Sequence, residues 1–478
     1  MVSNKKLSDD AFFSQRKEVL SMWRTGNEID LDEAIAYNKS LPGEKCAVRK
    51  QQRAKETGEI FAVTGMGKST VEEHVELLRH VEKEGQADLL AISPDSLTRV
   101  NRFAEVQEHM EESIKTGTSK LNGVPVVNIG VPGVRRITES VNCPVCLRGG
   151  TPDGRLMAEI LLAGGCVFSY PDLGMDFWQH SAKTPYDYVV ETHQYIGRLM
   201  GHYEEHGIPT MAGVQGFYGA GIPPSLQSAN IVISAILLVE QGVRNISINC
   251  VGHGNLVQDV AANAARENVL RYYLDKSGYE GVELFRSLSF NLMAYPMDFA
   301  PSLAVVFMNT LMARLVGATA SDVRTMAEAK AIPTKENIAD TYKIAKVMQN
   351  FIQHQKLEVD KEEARLQTSM EEKEIKAIID KVLEFGDGDI LAGAVKAIDA
   401  GVLDNPFAAN RAAAGKVLGV KDSEGAIRYY DTGNLPFSSE IIEYHKEKMA
   451  AREKKHGIKI DYDTLVNDLY SVSKGYLI

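Results

Sequence analysis

Cysteine is sparse in this 478-residue chain: five residues, Cys46, Cys143, Cys146, Cys166 and Cys250, too few for a disulfide framework. A sparse, odd set predicts a reducing compartment. Long apolar runs are missing too. The longest, such as residues 231–240, is too short and interrupted for a bilayer span of about 20 residues. The N-terminal stretch MVSNKKLSDDAFFSQRKEV has no signal-peptide core, so the expected setting is the cytoplasm. No basic cluster stands out, and the net charge is -11, which argues against a nucleic-acid partner. No low-complexity linker or internal repeat divides the chain.

What is present is ordinary for a globular protein: 44% hydrophobic and 24% charged residues, enough for a core without staples. Residues 1–56 read as a charged helical extension. From residue 57 short β-branched runs alternate with helix-period stretches such as TVEEHVELLRHVEKEG and GRLMAEILLAGG. The candidate strands are 60–65, 88–93, 125–130, 144–149, 166–171, 210–216, 245–250, 283–290 and 322–326. Such alternation predicts a parallel sheet with helical crossovers. Its extent favours a (β/α)8 TIM-type barrel over a doubly wound sheet, with nine candidates for eight places. The expected division is a barrel over 57–359 and a C-terminal α+β extension over 360–478.

Several motifs have bland readings that compete with functional ones. The run Ala62-Val-Thr-Gly-Met-Gly67-Lys68-Ser69 resembles a phosphate-cradling P-loop, but alanine replaces the first glycine. No strand ending in a magnesium-binding aspartate accompanies it, so a βα turn of the barrel is the better reading. Cys143-Pro-Val-Cys146 is a lone CxxC without a second ligand pair. His202 and His206 read as a solvated helix face, and His253, after a strand, is a modest site candidate. Arg99 lies just beyond the end of one candidate strand and Arg148 at the end of another, where a barrel places its active site. An arginine there offers a planar, permanently charged fork to a carboxylate or phosphate; the competing reading is a salt bridge to a neighbouring acid.

The stretches DSLTRVNRF, GTPDGRLMAEILLAGG, IPPSLQSAN, AIPTKEN and VLDNPFAANRAAAGK, in this order, resemble the E (epsilon) chain of glutamate mutase, also called methylaspartate mutase. The resemblance implies an isomerase (intramolecular transferase) that rearranges glutamate and 3-methylaspartate by radical chemistry with adenosylcobalamin. It also implies a small partner chain that holds the cobalamin through an Asp-x-His-x-x-Gly motif, which is absent here. A homodimer of this chain within a heterotetramer is the implied assembly. The substrate arginines carry over as Arg99 and Arg148, and the cofactor contacts as Gly67, Asn122, Glu328 and Ile332. Arg324 stands where the family has a lysine, Tyr295 where it has a phenylalanine, and Gln179 where it has a proline.

The substrate side departs from the pattern. The family's third arginine is Gly65 and its substrate histidine is Gly149. Its catalytic glutamate aligns with Tyr170, and two nearby tyrosines align with Asp176 and His180. Losing one guanidinium removes a clamp worth about 1.5–3 kcal/mol. The expectation is an acid held by Arg99 and Arg148, with Tyr170, Asp176 and His180 as catalytic candidates, that is not glutamate bound in the usual way. A paralogue acting on a different amino or carboxylic acid, a P-loop-like nucleotide binder and a non-catalytic barrel regulating a cobalamin partner are the alternatives.

Overall fold

A computed structural model describes residues 2–217, 219, 221–290 and 295–478. Its barrel strands run β1 (Phe61–Val63), β2 (Leu90–Ile92), β3 (Val145–Leu147), β4 (Phe168–Ser169), β5 (Met211–Val214), β6 (Asn245–Gly252), β7 (Glu283–Phe290) and β8 (Ala320–Asp322). All ladder pairings among them are parallel, as strands joined by helical crossovers must be. β1 pairs β8, with Phe61 opposite Ala320 and Val63 opposite Asp322, so the first strand closes on the last. Six strands form the arc β1-β8-β7-β6-β5-β4, and β2 pairs β3 in the other. The arcs meet where Ser93 N–H donates to the Met66 carbonyl at 2.8 Å and where β3 packs beside β4. The result is a TIM-type barrel flanked by an N-terminal helical extension and a C-terminal α+β extension.

Local sequence explains the outer layer. Helix Val71–Gly85 starts at Thr70, whose side chain accepts the Glu73 N–H, and buries His74, Val75, Leu77, Leu78 and Val81 on one face. Helix Pro224–Glu240 is buried from Pro224 through Val239 because it lies between the barrel and helix Lys361–Phe385. An all-round apolar helix belongs in such a place. On β7, Phe285 and Leu288 are fully buried. Burying each contributes about 1.5–3 kcal/mol. The C-terminal extension adds a hairpin of β9 (Val417–Lys421) and β10 (Ile427–Thr432) among helices.

Two expectations need correction. The run PVVNIG at 125–130 is not a strand: helix Val126–Glu139 begins there, kinked at Gly130 (φ 62°) just before Pro132. Val127, Val131 and Val134 recur at helical spacing, and a short β-branched run hides that period from a strand reading. This removes the ninth candidate. The last strand also sits earlier than 322–326, because Ala320 and Ser321 pair with β1 while Arg324 already lies in the following loop. Among the described residues, no helix is long and apolar enough to cross a membrane.

Candidate active site

The C-terminal ends of β2, β3 and β4 bring the substrate-side candidates together. Arg99 sits in the short 3-10 helix Thr98–Val100 after β2, and its Nε donates to the Gly150 carbonyl at 2.7 Å. Thr151 Oγ1 donates to the Arg99 carbonyl at 2.5 Å, so the loops after β2 and β3 hold each other. Gly149 lies between them with φ 143°, a backbone conformation that favours glycine. A Cβ at Gly149 would lie 3.9 Å from the Arg99 guanidinium carbon. At Gly150 there is no room for one, because Asp176 Oδ1 and His180 Nδ1 occupy its place. Arg99, Gly149, Gly150, Asp176 and His180 therefore form one contiguous patch.

Arg148 follows β3 directly and is 7% exposed. Its guanidinium pairs with Asp322 at the end of β8 and stands 4.9 Å over the Tyr170 ring. The neighbouring-acid reading thus holds for Arg148, and its charge faces the barrel interior with a counter-ion. Tyr170, after β4, stacks on Phe168 at 5.1 Å and lies flat against Gly213, where a Cβ would overlap its ring. Burial pushes its phenol well above the usual range, with Arg148 opposing, so it stays neutral. On the β1 side, a Cβ at Gly65 would lie 2.8 Å from Ser93 Oγ, leaving little space for a side chain.

Asp176 is 2% exposed on the short helix Leu173–Trp178. Its Oδ1 meets His180 Nδ1 at 2.9 Å and its Oδ2 meets His193 Nε2 at 2.9 Å. Burial alone would raise this carboxyl, but the two imidazole hydrogen bonds outweigh it and hold the pKa below the usual range. Each Asp176 oxygen thus has an imidazole partner. Asp172 caps the same helix and ties it to the loop after β5. Its Oδ1 accepts Gly174 N–H at 3.1 Å and Met175 N–H at 3.4 Å, and its Oδ2 accepts the N–H groups of Gln215 and Gly216.

The cofactor-side candidates form a rim in two parts. After β7 and β8, the Tyr295 hydroxyl donates to the Arg324 carbonyl at 3.4 Å, and Arg324 lies 3.7 Å from Glu328. Burial, with Glu328 adding, raises the Tyr295 phenol. Ile332 is 75% exposed beyond them. On the other side, Gly67 packs so closely on Gly123 that a Cβ would lie 2.6 Å from its Cα. Asn122 Oδ1 accepts the Ser96 N–H at 3.0 Å, and Gln179 caps the helix bearing Asp176. An apolar cleft of about 620 Å³ opens beside the ends of β6 and β7, lined by Gly254, Phe290, Pro296, Met308, Tyr476 and Leu477. An open cleft and an exposed apolar rim fit a large, flat group laid over this end of the barrel.

The P-loop alternative loses its support. Ser69, which would have to face a nucleotide-bound magnesium, is fully buried and accepts the Leu121 N–H at 2.9 Å. The helix behind it starts only at Val71. Cys143 and Cys146 are buried thiols, and burial pushes Cys146 up to about 12. His206 Nδ1 donates to the His202 carbonyl at 2.8 Å, but the His202 ring is not solvated, since it packs against Phe12 and Phe13; His253 is buried behind its loop. Two residues of the patch escaped sequence reasoning. Asp322 was misplaced, because the expected strand 322–326 put it at the strand's start, whereas it ends β8. His193 carried no signal, since only folding brings helix Tyr186–Glu205 against Asp176.

Residues 41–478 match the family described as methylaspartate mutase E chain. The glutamate mutase epsilon subunit of Desulfitobacterium hafniense is 40% identical over 100% of this chain and 99% of its own. That of Treponema denticola is 37% identical over 99% of this chain and 98% of its own. Among solved structures, tryptophan synthase subunit alpha from Legionella pneumophila gives a TM-score of 0.35 at 12% identity, covering 64% of this chain and 98% of that one. A likeness that weak carries no argument.

Proposed function

The chain belongs to the methylaspartate mutase E chain family, and on that premise we propose that it is the substrate-binding chain of an adenosylcobalamin-dependent carbon-skeleton mutase. When bound, the cofactor supplies the radical chemistry of hydrogen abstraction and return. Tyr295, Arg324, Glu328 and Ile332 on one side, and Gly67, Asn122 and Gln179 on the other, would hold it. A small partner chain would ligate the cobalt, since this sequence lacks the Asp-x-His-x-x-Gly motif.

The observation that carries the substrate reading is the charge pattern of the patch. Arg148 is matched by Asp322, and Asp176 is engaged by two imidazoles. Gly65 and Gly149 bring no side chain, and Tyr170 is neutral. Arg99 and Arg148, after β2 and β3, are the two guanidinium groups that would hold a substrate carboxylate. Among the described residues of the patch, the Asp176 carboxylate already takes a hydrogen bond from an imidazole on each oxygen. We therefore assign an acid substrate other than glutamate held in the usual way, with His180 as the group that exchanges a proton.

The test is reconstitution with the small cobalamin-binding chain and adenosylcobalamin, using a panel of small carboxylic acids. Formation of a skeletal isomer, followed by NMR and dependent on both additions, is the expected result. No isomer from any acid, glutamate included, would contradict the mutase reading.

A further inference from the structure

We propose that His193 is a positioning residue of this site: it clamps Asp176, and Asp176 in turn holds His180 with its Nε2 outward as the proton carrier. The chemistry assigned to His180 rests on the functional reading above; the clamp rests on geometry alone.

His193 is 1% exposed, and both of its ring nitrogens face acceptors. Nδ1 lies 2.8 Å from the Val189 carbonyl, which can only accept, so Nδ1 carries a proton. Nε2 lies 2.9 Å from Asp176 Oδ2. Two lone pairs cannot face each other at that distance, so a proton lies between them as well. The same holds between His180 Nδ1 and Asp176 Oδ1 at 2.9 Å. With Asp176 ionised, His193 is an imidazolium and the neutral His180 ring is the Nδ1–H tautomer. The three groups then sum to zero charge. Protonation of His180 Nε2 makes the sum +1, and Nε2 has no hydrogen-bond partner among the described residues.

His180 is also in the right place. Its Nδ1 and Asp176 Oδ1 lie against Gly150, whose carbonyl takes the Arg99 Nε–H. One residue thus separates the proton carrier from the carboxylate grip. The other charged groups about the cluster are Arg99 on the loop after β2 and Asp172 at the start of Asp176's own helix. Burial pushes Asp172 up to about 6 despite its backbone hydrogen bonds, and Asp176 pushes it further in the same direction. A buried carboxylate with two imidazole partners serves orientation, not substrate contact.

The clamp is tested on the full chain with ¹⁵N-labelled histidine, reading ring-nitrogen tautomers at alkaline pH. Free neutral histidine favours Nε2–H, so a locked Nδ1–H form of His180 is a distinct signature. The wild type is expected to show it. His193→Gln keeps a donor toward Asp176 and is expected to retain the signature. His193→Leu removes the donor, and His180 is expected to drift toward Nε2–H. In the reconstituted enzyme, His193→Leu is expected to lower kcat about tenfold or more with KM little changed, and His193→Gln to recover most of it. A locked Nδ1–H form in the Leu variant, or its loss in a folded Gln variant, overturns the clamp. If the Leu variant does not fold, the Gln variant alone decides. The tautomer needs no partner, cofactor or substrate. Its failure sinks the clamp alone, whereas absence of turnover with every acid sinks the mutase reading alone.

Discussion

At the scale of the residue, charges inside the barrel decide what the arginines can do. Arg148 and Asp322 are almost fully buried and paired, so removing the carboxylate takes away a buried counter-ion. Asp322→Asn is expected to destabilise the chain by about 3–5 kcal/mol, read from urea denaturation midpoints. A change below 1 kcal/mol would mean that Arg148 does not depend on Asp322. Asp176 makes a pH prediction. Its carboxyl is held below the usual range when folded, so its contribution is present above the unfolded value of about 4 and fades as pH falls through the lower folded value. Asp176→Asn is expected to remove part of the acid-side loss of stability. An unchanged stability–pH curve on the acid side would contradict the ion pairing.

At the scale of the element, loops hold the site and glycines let them meet. Gly150 has no space for a methyl group beside Asp176 and His180. Gly150→Ala is expected to lower stability by about 1–3 kcal/mol and to reduce turnover by more than tenfold, measured by thermal unfolding and assay. Wild-type turnover in that variant would show that the patch tolerates displacement. The barrel was legible at this scale: each of the eight barrel strands overlaps one of the nine expected runs. PVVNIG misled because a six-residue β-branched run fits strand and helix alike, and only Gly130 and Pro132 hinted at a kinked helix. The positions of Arg99 and Arg148 after strands were legible as well. The direction of Arg148 was not, since it depends on Asp322 arriving from the end of β8, 174 residues later in the chain. The partner of Asp176 was equally hidden, because His193 lies 17 residues away on another helix.

At the scale of the whole molecule, the rim beyond β7 and β8 presents apolar side chains in a chain of net charge -11. Met297 is 63% exposed, Phe299 61% and Ile332 75%. In the proposed assembly this rim meets the cobalamin-loaded partner. Ile332→Asp is expected to weaken that association about tenfold, or about 1.4 kcal/mol, by calorimetric titration, with the chain's own unfolding unchanged. Equal affinity for both forms would remove Ile332 from the contact. The most direct measurement concerns the substrate: kcat/KM for glutamate beside the best acid of the panel, with partner chain and adenosylcobalamin present. The charge pattern of Arg99, Arg148–Asp322 and the engaged Asp176 predicts that glutamate is the poorer substrate by about a hundredfold or more, the loss of one charge-assisted clamp and an ammonium partner. Robust conversion of glutamate to 3-methylaspartate, matching or exceeding every other acid, would contradict it.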